Sequence, residues 1–107
     1  MDDMKNRIRQ NRFVRNNGAV LRAANVLRYK FIAYKDLRYA IGDDITEPEL
    51  LDSINFLALS DYVELRHVRS HAAATLADIP PEEIELKLSD GGIRLLAGKK
   101  SDDCVEV

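Results

Sequence analysis

The sequence of 107 residues contains no tryptophan, one cysteine and three prolines, and it has no long apolar run. The single cysteine, Cys104, cannot form an internal disulfide, so the composition does not indicate an oxidising compartment. No apolar stretch approaches the roughly 18 residues that a membrane helix needs, and residues 2–12 are charged and polar, unlike a signal peptide. These absences predict a cytoplasmic protein without a membrane partner.

Motifs typical of catalytic and cofactor sites are also missing. Gly91 and Gly92 lie at a predicted helix start, but the Lys and Ser/Thr of a phosphate-binding loop do not follow them. The histidines His67 and His71 and the distant Cys104 do not have the spacing of a metal site, because His67 falls in a predicted strand. There is no nucleophile elbow and no carboxylate pair beside a base. We therefore expect a binding protein, not an enzyme, with no metal, cofactor or small-molecule substrate.

Charge is distributed unevenly along the chain, although the net charge is only −2. Residues 1–38 contain ten Lys or Arg and three Asp, whereas residues 39–107 contain six Lys or Arg and fifteen Asp or Glu. The first third is therefore basic and the remainder is acidic. Such asymmetry is typical of a basic face for a polyanion, of a basic arm that docks on an acidic neighbour, or of two solvated faces of opposite sign.

Helical periodicity dominates the first half of the chain. The polar, arginine-rich residues 4–16 can form a helix, and the following Asn-Asn-Gly at 16–18 either breaks it or lies within one longer helix. Apolar spacing predicts helices over residues 19–31 and 35–41, with a short extended piece at residues 31–34. The length and apolar content suit one domain with one core.

A third helix is predicted to begin at Thr46, which forms a capping box with Glu49. Its apolar stripe faces the core, and the opposite face contains Asp52, Asn55, Phe56 and Leu59. Strands follow at residues 62–69 and 84–88, joined by a long connection over residues 70–83.

The last predicted helix begins after Ser89 and ends at Gly98. Residues 99–107 form a polar tail in which Val105 and Val107 alternate as in a terminal strand. The fold class predicted from this order is α+β. We divide the chain into a basic N-terminal helix or arm (1–17), a main domain (18–98) and a polar C-terminal tail (99–107).

Two stretches resemble the winged helix-turn-helix family. Residues 54–63 (INFLALSDYV) are similar to the family's passage from recognition helix to strand, and residues 88–98 (LSDGGIRLLAG) are similar to its closing segment. Within this family, the two stretches resemble those of small bacterial repressors and of small winged-helix proteins of Mu-like phages. Asp61 departs from the pattern, since the family prefers glycine there, and the third helix is unusually acidic.

The resemblance implies a three-helix core, a β-wing of two to three strands and a C-terminal helix. It also implies a dimeric regulator of transcription, or a phage-type accessory in DNA handling, that binds double-stranded DNA. In this family the third helix enters the major groove and the wing contacts the minor groove. The predicted nucleic-acid-binding residues are Arg7, Arg9, Arg12, Arg15, Ser53, Asn55, Arg66, His67 and Arg69.

The acidic third helix favours a second interpretation, in which a winged-helix module binds a protein and makes no direct DNA contact. Phe56 and Leu59 lie on the non-core face of that helix, and exposed apolar clusters are typical of partner surfaces. We predict a partner or dimer surface at Phe13, Val14, Phe56 and Leu59, and a homodimer formed through residues 1–28, with the C-terminal tail as a further candidate contact. The alternative is that the wing or the N-terminal helix covers these side chains.

Overall fold

The computed structural model describes residues 2–107, and its helices and strands follow the predicted order. Within these residues the helices are α1 (Asp2–Asn25), α2 (Tyr34–Ile41), α3 (Glu47–Leu59) and α4 (Asp90–Leu96). The strands are β1 (Ile32–Ala33), β2 (Val63–His67) and β3 (Ile84–Leu88), and a 3-10 helix at Pro81–Glu83 leads into β3. The predicted α+β class is therefore confirmed. None of the helices between residues 2 and 107 is both long enough and apolar enough to cross a bilayer.

The three strands form one antiparallel sheet in the order β1-β3-β2. β3 is the central strand, and its Leu86 pairs with Ile32 on one side and with Leu65 on the other. Alternate residues of β3 are buried, because successive side chains of a strand point to opposite faces of the sheet. Three helices ahead of a hairpin, with a short first strand at its edge, form an arrangement compatible with a winged-helix-like fold.

One hydrophobic core lies between the sheet and the helices. α3 contributes Leu50, Ile54 and Leu57, all of which are almost completely buried. Together with the buried face of β3 and the second half of α1, they exclude water from the centre of the domain. The other buried apolar residues of this core are Val20, Leu21, Ala24, Tyr34, Leu37, Tyr62, Val63, Leu65, Ile84, Leu86, Leu88, Leu95 and Val105.

α1 is a single helix that continues through the Asn-Asn-Gly sequence at residues 16–18. Asn17 is fully buried, and its side-chain amide donates a hydrogen bond of 2.9 Å to the backbone carbonyl of Cys104. Asn and Gly are poor helix formers, so tertiary contacts rather than local propensity hold this part of α1 helical. Residues 17 and 18, which we assigned to separate segments, are therefore consecutive residues of one helix.

The predicted end of the second helix was wrong. α1 ends at Asn25 rather than near residue 31, and a turn follows in which the Lys30 amide donates to the Leu27 carbonyl over 2.9 Å. The chain has to leave the helix here because Ile32 pairs with Leu86 in the sheet. Val26 and Tyr29, which lie in the turn, are largely exposed to solvent.

The C-terminal tail packs on the domain and does not form the terminal strand that its alternating valines suggested; residues 99–107 contain no strand. Val105 is buried, and the Glu106 amide donates to the Val14 carbonyl of α1 over 3.2 Å. The Tyr62 hydroxyl donates to the Asp102 carboxylate, which lowers the pKa of Asp102. The tail is therefore part of the folded domain.

The connection between β2 and β3 also returns to the core. Ala74, Leu76 and Ile79 are half-buried against it, and Ala73 forms a bridge with Arg66 of β2. These contacts hold residues 73–79 of the β2–β3 connection, which was predicted to be a free wing, against the body of the protein. The turn at residues 68–71 remains exposed except for Val68, which is half-buried.

Candidate nucleic-acid interface

The first turn of α3 is built as the sequence predicted. Thr46 caps the helix, and its side-chain oxygen accepts a hydrogen bond from the Glu49 amide over 3.3 Å. Glu49 in return accepts from the Thr46 amide over 3.1 Å. The reciprocal pair satisfies amide groups that have no partner within the helix, and the carboxylate lies favourably near the positive end of the helix dipole.

Arg12 of α1 lies across this helix start and binds Glu49 with two hydrogen bonds. The Nε–Oε2 distance is 2.9 Å and the Nη2–Oε1 distance is 3.0 Å. The Arg12 side chain and the Thr46 backbone amide lower the pKa of Glu49 to about 2. Arg12 was predicted to contact DNA, but its guanidinium is occupied by this intramolecular contact, which attaches α1 to α3.

The second acid of the α3 start is also neutralised within the molecule. Glu47 forms an ion pair with Arg38 of α2 and accepts a hydrogen bond of 2.9 Å from the Tyr34 hydroxyl. Burial of the phenol is the larger cause and its hydrogen bond to Glu47 the second of a rise in the pKa of Tyr34 to about 12. The repulsion that two free carboxylates would exert on a phosphate is therefore reduced.

The pairing of Arg12 with Glu49 predicts a specific pH dependence. The folded pKa of Glu49 lies below its ordinary value of 4.5, so its contribution to stability is complete above about pH 4.5 and is lost as the pH falls towards 2. We expect Arg12→Gln to lower the free energy of unfolding at pH 7 and to have a much smaller effect near pH 2.5. Urea denaturation of both proteins at the two pH values measures this difference, and an effect that does not change with pH would contradict the pairing.

The outer face of α3 offers few groups that could bind DNA. Ser53 is completely buried, so its hydroxyl cannot contact a base, and its selection as a DNA-binding residue was wrong. Asn55 and Asp52 are exposed, as is Leu59, with 77% of its surface accessible. α3 contains no lysine or arginine. Asn55 is thus the only predicted base-contacting residue of α3 that is accessible.

The predicted partner surface is largely covered by the chain itself. Phe13 of α1 packs edge-to-face on Phe56 of α3, with ring centroids 5.3 Å apart. Both rings are half-buried, and so is Val14. Among the four residues predicted for this surface only Leu59 is exposed, so α1 covers Phe56 but leaves Leu59 accessible.

The basic residues predicted in the wing are separated by the structure. The Arg66 guanidinium carbon lies 3.6 Å from the centroid of the Phe31 ring, and the side chain also forms an ion pair with Glu85. His67 Nδ1 accepts from the backbone amides of Arg69 and Ser70, which holds the turn in place. Arg66 and His67 are therefore structural side chains, and Arg69 remains as the exposed cation of the turn.

Arg7, Arg9 and Arg15 of α1 are exposed, and among the side chains of residues 3–107 none of them has a carboxylate within 4.0 Å. Every side chain from Asp3 to Asn11 is exposed, so this half of α1 extends away from the core. Lys5 adds a further exposed cation to the segment. The predicted arginines of α1 other than Arg12 are therefore accessible to a polyanion.

Arg22, which was not predicted from the sequence, lies beside Arg15, and its guanidinium donates a hydrogen bond of 3.0 Å to the Glu106 carbonyl. A cleft of about 590 Å³ between α1 and the segment that joins α2 to α3 is lined by Arg12, Arg15 and Arg22. Arg15 and Arg22 are seven positions apart, which is about two helical turns, so both lie on one side of α1. This spacing could have indicated from the sequence that they share a face. Asp44 lines the opposite wall, so the cleft is not uniformly positive.

No group of three or more His, Cys, Asp or Glu side chains between residues 2 and 107 is placed to hold a metal ion. The two histidines instead face glutamates of the same sheet region, with His67 Nε2 3.6 Å from Glu83 and His71 Nε2 4.0 Å from Glu85.

No protein-family model, no curated protein and no solved structure matches this chain.

Proposed function

We propose that this chain is a winged-helix-like protein that binds double-stranded DNA, and that the exposed half of α1 supplies most of the phosphate contacts. The observation that supports this is the accessible set Lys5, Arg7, Arg9 and Arg15 on one helix, of which the first three lie in the segment that extends beyond the core. Guanidinium and ammonium contacts with phosphates dominate the affinity of proteins for DNA and position them on the duplex. A role as a regulator of transcription or as an accessory in DNA handling would follow from such binding.

α3 has a smaller part in this proposal than the third helix of a winged-helix protein usually has. Its outer face carries no cation, and Asn55 is the accessible side chain that could contact an adenine edge. Sequence-independent binding through the DNA backbone is therefore favoured over the recognition of a defined operator.

The salt dependence of binding tests the proposal. If Lys5, Arg7, Arg9 and Arg15 each neutralise one phosphate, the log–log slope of affinity against salt concentration should be about −3.6, because each contact contributes about −0.9. Fluorescence anisotropy on a random duplex between about 50 and 200 mM salt measures it. A slope near zero, or no binding at the lower salt concentration, would exclude DNA as the partner.

Paired variants assign the contacts to α1. We expect Arg7→Gln/Arg9→Gln to reduce the steepness of the slope by about 1.8, the share of two phosphates. Lys99→Gln/Lys100→Gln removes two exposed lysines after the end of α4 and should leave the slope unchanged. Asn55→Ala and Asp52→Ala should leave the slope unchanged, and a preference for one duplex sequence that either substitution removes would return the base contacts to α3.

A second candidate is a winged-helix-like module that binds a protein and does not contact DNA. The exposed Leu59, together with Asp52 on the same cation-free face of α3, favours it. A chain that shows no salt-dependent binding to duplex DNA, but retains its fold, would support this candidate over the first.

A further inference from the structure

The cleft between α1 and the segment that joins α2 to α3 has the size and the lining of a small-molecule site. Its volume of about 590 Å³ lies within the range of roughly 300–1,000 Å³ that is typical of ligand pockets. Ala19 and Ala23 belong to its α1 wall, and Ile41 and Ile45 to the opposite wall. All four are half-buried, so part of their apolar surface is left facing the cleft. A ligand with apolar faces would remove this surface from water.

Intramolecular hydrogen bonds hold two of the three arginines of the cleft in place. Arg12 binds Glu49, and its Nη2 also donates to the Asp44 carbonyl of the opposite wall over 3.2 Å. Arg22 Nη1 donates to the Glu106 carbonyl over 3.0 Å, so the C-terminal tail orients this side chain. A guanidinium has five N–H donors, and each anchored arginine therefore retains donors for a ligand. Side chains that are already ordered lose less conformational entropy on binding.

The charges of the lining favour an anionic group on the ligand. Glu49 neutralises Arg12. Arg15 and Arg22, by contrast, form no ion pair within residues 3–107. Asp44 is the single acid among the described residues of the lining, so positive charge exceeds negative charge there. Arginine is suited to phosphate because the planar guanidinium donates two parallel hydrogen bonds to its oxygens, and a phosphate can accept from two guanidinium groups at once.

The polar groups of the cleft differ between its two ends. Asp44 lies at the Arg12 end, where its carbonyl accepts the hydrogen bond from that arginine. Asn16, which is 3% exposed, lines the cleft near this end. Arg22 lies ten residues further along α1 than Arg12, which is roughly 15 Å at a rise of 1.5 Å per residue. A matching ligand has a phosphate at one end, N–H donors at the other and apolar faces between them, and a nucleotide has this arrangement.

We propose that the cleft binds a free nucleoside monophosphate, with its phosphate on Arg15 and Arg22 and the N–H groups of its base directed to Asp44. The base and the ribose lie against Ile41 and Ile45. The concave shape and the apolar walls favour a free nucleotide over a duplex, whose phosphates lie on a convex surface and are flanked by sugars. The inference goes beyond DNA binding and does not require it.

Titration of the isotope-labelled chain with each common ribonucleoside 5′-monophosphate, followed by NMR and without DNA present, tests the proposal. At least one nucleotide should bind saturably with a Kd below about 1 mM. The amide signals that move should be concentrated at residues 15–23 and 40–45. Inorganic phosphate and the corresponding nucleoside should each bind at least about tenfold more weakly, because each makes only part of the contacts.

Three variants assign the contacts. Arg15→Gln should weaken nucleotide binding at least about tenfold, and Arg15 is exposed, so its replacement removes no core packing. Asp44→Ala should weaken binding of the nucleotide but not of inorganic phosphate, since this carboxylate contacts only the base. Arg28→Gln/Lys30→Gln is the control, because it removes two exposed cations from the turn after α1, outside the lining. It should leave the nucleotide affinity unchanged.

Several results would overturn the proposal. One is the absence of saturable binding by every monophosphate up to about 10 mM, tenfold above the expected limit. Others are signal changes that lie outside the cleft, or an affinity that Arg15→Gln leaves unchanged. A short single-stranded oligonucleotide that binds the cleft more tightly than every mononucleotide would place the phosphate in a strand, and the free nucleotide would then be excluded as the ligand.

Discussion

Gly18→Ala is expected to detach residues 104–106 from α1 and to lower the free energy of unfolding by about 2–4 kcal/mol, combining overpacking with lost burial. A β-carbon at this position would lie 1.7 Å from the Glu106 carbonyl oxygen and 2.8 Å from its carbonyl carbon. Both atoms belong to backbone, which cannot move aside as a flexible side chain can. Displacing the tail would also expose Val105 and remove the Asn17 hydrogen bond to Cys104.

Helix propensity alone predicts the opposite sign for the effect of Gly18→Ala on the free energy of unfolding. Alanine is more favourable than glycine inside a helix by about 1 kcal/mol, so a helix without the tail should be stabilised by the same substitution. Urea denaturation of the full chain and of a chain ending at Ser101, each with Gly18 or alanine, separates the two effects. Equal stabilisation in both backgrounds would mean that the tail does not lie against α1 in solution.

Leu86→Ala is expected to cost about 2–5 kcal/mol, the range for removing a buried leucine side chain and leaving a cavity. Leu86 is 1% exposed and lies on the central strand, where it pairs with β1 and with β2. The surrounding sheet cannot easily collapse into the space, because strand pairing fixes the backbone on both sides. A domain of ordinary stability, about 5–15 kcal/mol, would lose a large share of it.

Leu59→Ala provides the matched control for Leu86→Ala. It removes the same atoms from a side chain that is 77% exposed, and it should change the free energy of unfolding by no more than about 0.5 kcal/mol. Chemical denaturation followed by circular dichroism compares the two variants. A small loss of stability at both positions would contradict the assignment of Leu86 to the core. A large loss at both positions would show that Leu59 is covered in an oligomer.

Local sequence signals predicted the elements well where the signal lies within a few residues. The capping box of Thr46 and Glu49 and the strand Ile84–Leu88 were predicted correctly, because spacing of three residues and alternation of two are properties of the element itself. The end of α1 and the docking of the tail were not predicted. Both depend on partners far away in sequence, such as Leu86 for β1 and Val14 for Glu106.

The same distinction applies to the candidate interface. Arg12 and Arg66 were selected as free cations, yet they contact Glu49 and Phe31, which are 37 and 35 positions away, and no local pattern indicates such pairs. Ser53 is a different case. It lies three residues after Leu50 and four before Leu57, so helical spacing alone places it on the buried face. The charge asymmetry of the first 38 residues was visible, but which of these cations remain accessible required the tertiary structure.

The hydrogen bond from Asn17 to the Cys104 carbonyl joins groups 87 positions apart and has a consequence for biosynthesis. Asn17 is translated 87 residues before Cys104, so its buried amide has no partner until the whole of the intervening chain has been made. Contacts of such high sequence separation are slow to form and leave surfaces unprotected in the meantime. The nascent first helix is therefore the segment that chaperones or proteases would meet before folding is complete.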